Sequence, residues 1–360
     1  MRVLLSGPDF HDYNKFVANA IEGLDHEVEV SGWPELWGKF NRRVRLYFAR
    51  QYYEEYRFQE YVLEVIDDVV QSYNDWLLKR IRETEPDAFL VLNGKVILPE
   101  TVREASEHTT TIIWCYDKAT VFPAVIESLH EYDLFYVFES SDVEELGDRH
   151  SDVTFLPMGY DPTYYHDLDG QSDETEPDGR EEETSIDVIF VGSLSERRKR
   201  LLGRIARELD VNLQVWGNNW SWYDPFAQFE YRVQRRALGD CVNNYNIPAA
   251  RVNEEYNRSK ICLNIHGPHS QRAMNPRTFE ILGAGAFELV DYKPRLPEVL
   301  ELGEEIVTFQ DGDELLEQIE YYLDRPKERR QIAAAGNERV RADHTYQDRL
   351  SRVFEDYRAL

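Results

Sequence analysis

Asp187-Val188-Ile189-Phe190-Val191-Gly192-Ser193-Leu194-Ser195-Glu196-Arg197-Arg198-Lys199-Arg200-Leu201-Leu202 is the stretch on which the fold turns. Aliphatic and aromatic residues run up to a glycine turn, and then Leu201, Leu202, Ile205 and Leu209 mark one face of a helix. A strand that feeds a helix through a tight turn is the start of a βα unit. The rhythm continues downstream. Residues 211–216 and 260–265 read as strands, a helix opens at Pro276, and 286–290 and 305–309 read as strands. Leu315, Leu316, Ile319, Tyr322 and Leu323 stripe a further helix, and 345–357 reads as the last one.

Working back toward the N-terminus, short apolar runs at 3–6, 88–92, 111–115, 134–138 and 153–156 alternate with helical spacing, as at 121–130 and 141–147. Residues 35–83 break this alternation. They are poor in Pro and Gly after Gly38, rich in tyrosine (Tyr47, Tyr52, Tyr53, Tyr56, Tyr61, Tyr73), and fit one or two long helices. At helical spacing those tyrosines are expected to pack, with a stacking platform for sugar rings as the alternative. The predicted fold class is α/β, with two doubly wound parallel-sheet halves. Ligands of such sheets bind at the carboxyl ends of the strands, so the two halves are expected to face each other across a cleft.

Between the halves lies Asp167–Asp187, DLDGQSDETEPDGREEETSID, with ten acidic residues, one arginine and no aromatic. Such a stretch cannot bury enough apolar surface to offset its ordering entropy and reads as a flexible linker. The expected division is therefore an N-terminal domain at 1–166, a linker at 167–186, a second domain at 187–342, and a C-terminal helix at 343–360 that can pack back on the first domain. The whole chain of 360 residues carries 41 Lys and Arg against 68 Asp and Glu, a net charge of −27. Residues 167–187 supply only nine of those negative charges, net of the one arginine, so acidity is mainly a property of the whole surface. It excludes non-specific nucleic-acid binding, because the mean field repels phosphate.

Only nine of the basic residues are lysines. Dense carboxylates with sparse lysine are expected of proteins from salt-accumulating cytoplasms, such as those of halophilic archaea. No apolar run approaches the ~20 residues that span a bilayer. The first seven residues read as a strand rather than a signal segment. Cys115, Cys241 and Cys262 have no metal-ligand spacing and suit free thiols in a reducing cytoplasm.

The strongest chemical signal is Asn275-Pro276-Arg277-Thr278-Phe279-Glu280. Asn275 suits an N-cap and Pro276 the first helical position. A helix N-terminus offers N–H groups and about half a positive charge to a phosphate, and Arg277 adds a bidentate donor. Glu280, about one turn deeper on the same face, can accept hydrogen bonds from a ribose diol. The alternative is a first-turn carboxylate that merely complements the helix dipole.

The second signal is Gly192 followed by Arg197-Arg198-Lys199-Arg200, cations at a helix start whose dipole they oppose; a bound diphosphate would resolve that conflict. Gly7-Pro8-Asp9-Phe10-His11 and Trp114-Cys115-Tyr116-Asp117-Lys118 follow strands of the first half. Asp117 or Asp9 could bind acceptor hydroxyls or act as a base, and His11 or His266 could contact sugar oxygens, each with a turn or capping role as the alternative. Trp216-Gly217-Asn218-Asn219-Trp220 could stack on a base or sugar, or pack.

Several separated segments resemble the CgeB-like (spore-maturation type) glycosyltransferases of the GT-B superfamily. They run from Val188-Ile189-Phe190-Val191-Gly192-Ser193 with Arg197-Arg198, through Tyr256-Asn257-Arg258-Ser259-Lys260-Ile261-Cys262-Leu263-Asn264-Ile265, to Arg277-Thr278-Phe279-Glu280-Ile281-Leu282-Gly283-Ala284-Gly285-Ala286-Phe287. Asp313-Glu314-Leu315, Glu328-Arg329-Arg330 and His344-Thr345-Tyr346 with Arg349 extend the likeness, and Pro157-Met158-Gly159-Tyr160-Asp161-Pro162 is similar to the segment before the family's interdomain crossover.

The resemblance implies a GT-B fold of two Rossmann-like domains facing across a cleft. It also implies transfer of a sugar from a nucleotide diphosphate donor to an unknown glycan, lipid or protein acceptor. By that likeness no metal and no cofactor is required beyond the nucleotide sugar. Glu280 matches the glutamate that holds the donor ribose, and Arg277 and Arg198 match positions near the diphosphate. The related large retaining GT-B family carries two glutamates separated by seven residues. Here Glu280 fills the second place and Arg272 stands in the first, so retention of configuration does not follow. The expected donor site is Glu280, Arg277, Arg198, Arg197, Gly192, Asn275 and His266, and the catalytic candidates are Asp117, His11 and Asp9. A non-catalytic nucleotide-sugar-binding protein or partner subunit, and a nucleotide-sugar epimerase, are the other functions open to this sequence.

Overall fold

The computed structural model describes residues 1–8, 12–33, 57–147, 153–168, 186–193, 195–217, 236–243 and 245–360, with backbone alone at 57–69 and 236. Two compact units emerge, Met1–Met158 with Tyr346–Leu360, and Gly159–Thr345.

The first unit contains β1 (Arg2–Gly7), α1 (Tyr13–Gly23), β2 (Glu27–Gly32), α2 (Arg57–Thr84), β3 (Ala88–Leu92), α3 (Pro99–Ser106), β4 (Thr110–Cys115), α4 (Pro123–Glu127), β5 (Leu134–Val137), α5 (Ser140–Gly147) and β6 (Val153–Phe155). Its sheet is parallel, in the order β2-β1-β3-β4-β5-β6. Strand β3, AFLVL, is buried along its whole length, as a parallel strand covered on both faces must be. Leu4, Phe89, Val91, Ile113, Phe135 and Val137 form the sheet's side of one core.

Strand β2 has no clear apolar run and was not foreseen; it is an edge strand, exposed at Val30. Residues 34–56 of the tyrosine-rich segment, with Tyr47, Tyr52, Tyr53 and Tyr56, lie outside the described residues, as does the side chain of Tyr61. Tyr73 packs: it is buried, and its hydroxyl is bonded to Ser6 Oγ at 2.9 Å and Ser31 Oγ at 3.0 Å.

The second unit contains β7 (Ile186–Val191), α6 (Glu196–Glu208), β8 (Leu213–Trp216), α7 (Arg236–Gly239), β9 (Val242–Asn243), α8 (Ala249–Asn257), β10 (Ser259–Asn264), α9 (Pro276–Gly283), β11 (Glu288–Asp291), β12 (Val307–Phe309), α10 (Gly312–Leu323) and α11 (Pro326–Asp343). Its parallel sheet runs β12-β11-β10-β7-β8-β9, the order of a dinucleotide-binding doubly wound fold. Val188, Phe190, Val215, Ile261, Leu263 and Leu289 line its core.

The division falls between Met158 and Gly159, ahead of the acidic stretch, whose residues 169–185 lie outside the described residues. The segment just before that stretch is anchored in the second unit. Tyr160 lies against Gly283, where any β-carbon would strike its ring, and His166 N–H donates to Asn253 Oδ1 at 3.1 Å. The last helix, α12 (Tyr346–Ala359), belongs to the first unit. Its Tyr346 ring stacks on Phe16 at 5.9 Å and meets Trp114 edge-on at 6.0 Å, and Asp356 accepts a bond from the Tyr136 hydroxyl at 2.7 Å. Among the described residues no helix is long and apolar enough to cross a membrane.

Candidate functional site

In the second unit the winding reverses between β7 and β10, so the loops leaving these two strands diverge and open a crevice at their carboxyl ends. The residues singled out from sequence gather there. Gly192 leaves β7, with its N–H on Trp216 O at 2.8 Å. A β-carbon on Gly192 would press on the Phe190 ring and approach Arg277 Nη1. Gly217, at φ 145°, packs so closely on the Gly192 backbone that only glycine fits. The two glycines thus let the loops after β7 and β8 close together beside the Arg277 guanidinium.

The basic cluster at the start of α6 is resolved largely within the unit. Ser195 caps the helix through Arg198 N–H. Arg197 Nη1 is 2.7 Å from Asp291 Oδ2, and Lys199 Nζ is 2.9 Å from Glu196 Oε1. Arg198 is buried; its Nε donates to Ile265 O and its Nη1 to Ser193 O, both at 2.8 Å. Burial pulls its guanidinium down to about 9, and the neighbouring charge of Arg277 acts in the same direction. It remains a cation at neutral pH that ties the end of β10 to the turn after β7. Asp291, Glu196 and backbone carbonyls thus offset three of the four cations within the unit itself, beside whatever a bound diphosphate would add.

His266, at the end of β10, has a fully buried side chain. Asp291 Oδ1 accepts from both its backbone N–H and its Nδ1, each at 2.7 Å, which leaves Nε2 as the lone-pair nitrogen. That Nε2 is buried with no hydrogen-bond partner among the described residues. Burial lowers the imidazole's pKa, so the ring is neutral at pH 7. Burial opposes ionisation of Asp291, but the bond from His266 and the charges of Arg197 and Lys293 hold its carboxyl below the usual range.

Helix α9 begins as its sequence predicts, with Asn275 extended at the N-cap position and Pro276 at N1. The Asn275 side chain makes no capping bond, however, and this corrects the expectation. It is engaged instead with Asn264 of β10, donating to Oδ1 at 3.1 Å and accepting from Nδ2 at 2.9 Å. One turn in, the Glu280 side chain is only 6% exposed and lies beside the charge of Arg277. Burial raises its pKa, and Arg277 pulls it back down.

In the first unit Asp117 follows β4. Its Oδ2 accepts from Lys95 Nζ at 2.7 Å and Asn93 Nδ2 at 2.9 Å, and Lys95 lies 3.9 Å above the Phe122 ring. Asn93 and Gly94 carry left-handed backbones, at φ 69° and 58°, at the end of β3. Asp9 and His11 lie outside the described residues, as do Asn218, Asn219 and Trp220. Trp216 is buried and meets Tyr245 edge-on at 5.2 Å, which favours packing at that position. Sequence reasoning passed over Asp291, Glu288, Asn93 and Lys95. The available signal was a charge set within or just after an otherwise apolar strand.

Comparison with known proteins follows this geometry. Residues 197–355 match the family described as "Glycosyl transferase-like". The spore protein CgeB of Bacillus subtilis strain 168 is 24% identical over 220 residues, covering 56% of this chain and 66% of that protein, just short of two thirds of the relative's length. Sucrose-phosphate synthase of Thermosynechococcus elongatus superposes with a TM-score of 0.67 at 13% identity, covering 100% of this chain and 98% of the other. Anabaena HepE in complex with UDP and glucose superposes with a TM-score of 0.65 at 11% identity, covering all of both chains. The fold is GT-B. Of these likenesses, the match to the "Glycosyl transferase-like" family is the one that points toward sugar transfer.

Proposed function

We propose that the protein is a glycosyltransferase that moves a sugar from a nucleotide diphosphate donor to an acceptor, with the donor on its second unit. The observation that carries this reading is Glu280, a nearly buried carboxylate beside the charge of Arg277, one turn inside a helix whose N-cap side chain does not cap it. A carboxylate so far withdrawn from bulk water gains from hydroxyl donors that a ligand brings. A ribose diol supplies two donors of the right kind, and the diphosphate then falls on the helix N-terminus and Arg277. The UDP in the HepE complex is the donor nucleotide to try first.

In this mechanism negative charge develops on the departing diphosphate as the glycosidic bond breaks. Arg277, the helix end and the fixed cation Arg198 are in place before the reaction and stabilise that charge, so the proposal needs no divalent cation. Asp117, paired with Lys95 and bonded by Asn93, is proposed to receive acceptor hydroxyls. Cys115, Cys241 and Cys262 are free thiols, which suits a reducing cytoplasm. The acidic surface suits high salt, so the melting temperature should rise as KCl is raised toward molar concentration.

The test has two stages. Thermal shift against UDP-, GDP-, ADP- and dTDP-sugars identifies the donor, because a ligand that binds only the folded chain raises the melting temperature. Glu280→Ala should then raise donor KM at least tenfold, or abolish turnover, with the melting temperature held. Unchanged kinetics with the matched donor would remove Glu280 from the site.

A further inference from the structure

Three helices of the second unit place a capping-competent side chain at their N-cap. Ser195 accepts from Arg198 N–H, and Asp311 accepts from the N–H groups of Asp313 and Glu314. Asn275 alone of these three makes no cap bond, although its backbone is correctly extended. The reason lies in the sheet beneath it. Glu288, on β11, is fully buried, and its Oε1 accepts from Asn264 Nδ2 at 2.9 Å and from Thr278 Oγ1 at 3.1 Å. Its Oε2 has no partner among the described residues. Asn264, fixed by Glu288, holds both the oxygen and the nitrogen of the Asn275 amide. The chain Glu288–Asn264–Asn275 therefore draws the N-cap side chain off the end of its own helix.

We infer that Glu288 is a positioning residue that keeps the Asn275 side chain from capping α9, so that an incoming diphosphate, rather than the protein's own amide, closes that helix end. The inference rests on the donor reading above and deepens it. A helix end closed by its own Asn would compete with a ligand for the same first-turn N–H groups, with the equilibrium weight of a side-chain cap. Burial pushes the Glu288 carboxyl up to about 8, against the opposing bonds from Asn264 and Thr278, so it is neutral when it does this at pH 7. The titratable and charged groups facing it are Arg277 from α9, Asp291 on its own strand and the Cys262 thiol from β10. Once ionised, Glu288 would hold Arg277's charge to itself and repel a diphosphate.

The experiment measures the affinity of UDP, GDP, ADP and dTDP by calorimetry from pH 6 to 9, using the tightest binder for the variants. Glu288→Leu should weaken binding about fivefold at pH 7, as Asn275 swings onto the helix end. Wild-type affinity should decline above pH 8; Glu288→Gln, which keeps an oxygen for Asn264 and Thr278, should match the wild type at pH 7 and lack that decline. In an Asn275→Ala background the Glu288→Leu effect should disappear. A folded Glu288→Leu with wild-type affinity, or a fivefold loss that persists without Asn275, overturns the inference. So does a Glu288→Gln variant that keeps the alkaline decline. Arg277→Ala separates the two levels. If some diphosphate binds and Arg277→Ala does not weaken it, or if none binds the wild type, the donor reading itself falls.

Discussion

At the carboxyl edge of the first sheet, Lys95 and Asp117 pair with 25% and 28% of their side chains exposed; at the corresponding edge of the second, His266 and Asp291 pair at 0% and 3%. Both pairs sit where a doubly wound sheet offers loops to a ligand, yet their physics differs. Water screens the first pair, so separating it for a ligand costs little. The second pair has lost its water, and its members hold charge or tautomer only through one another and through Arg197 and Lys293. One edge is a set of polar groups that a ligand can rearrange, and the other is fixed before any ligand arrives. A departing diphosphate needs fixed charge, because dipoles that must reorient give back part of what they stabilise. The acceptor proposed for the first unit would be served by the looser arrangement.

The comparison breaks most visibly at Asp291. Asp291→Ala removes both bonds that orient the buried His266 and takes the counter-charge from the part-exposed Arg197, so it should destabilise the fold by about 2–3 kcal/mol. Chemical denaturation checks this, and a loss below about 1 kcal/mol would mean the second edge is no more rigid than the first. Glu288 gives a pH-dependent counterpart. The native chain keeps its proton up to about pH 8, whereas an unfolded chain releases it in the usual carboxylate range. That stabilising contribution is complete at low pH and is lost as pH rises toward 8. Glu288→Gln should therefore gain melting temperature relative to the wild type between pH 5 and 8, and a constant offset would show that Glu288 ionises normally. Arg277→Ala is a change in function rather than in stability. It should lower kcat/KM for the donor about a hundredfold, the usual cost of removing a preorganised charge donor, with little change in melting temperature.

The two edges also differed in how far they could be read from sequence. Around α9 the local signals agreed: Pro276 at N1, an extended residue before it, and Arg277 and Glu280 at helical spacing. The helix start and its residues could therefore be placed before any coordinates. What stayed hidden was how side chains pair across strands. The sequence around Asn275 is the same whether its amide caps the helix or bonds Asn264, and only the register of β10 beside β11 decides between them. Glu288 carries no local sign of its role, because its partners lie 24 and 10 residues away along the chain. Strand β2 was missed for a related reason: at a sheet edge with one half-exposed face, Glu27-Val28-Glu29-Val30 shows little of the apolar run that marks β3.

Lys95→Ala tests the loose side of the comparison and carries the smallest expected effect. The pair it removes is a quarter exposed, and such pairs contribute at most about 1 kcal/mol, so the melting temperature should fall by only a few degrees. Asn93 still donates to Asp117 in the variant, and the Asp117 backbone N–H still donates to Asn93 Oδ1 at 3.3 Å, so the carboxylate keeps its place while losing its counter-charge. If Asp117 receives acceptor hydroxyls, Lys95→Ala should move the KM of the acceptor and leave diphosphate affinity unchanged, because the groups proposed for the donor belong to the other unit's sheet. Calorimetry with the diphosphate, run beside acceptor kinetics, separates these outcomes. A loss of diphosphate affinity comparable to that of Arg277→Ala would mean that Lys95 serves the donor, and the division of labour between a loose edge and a fixed one would have to be redrawn.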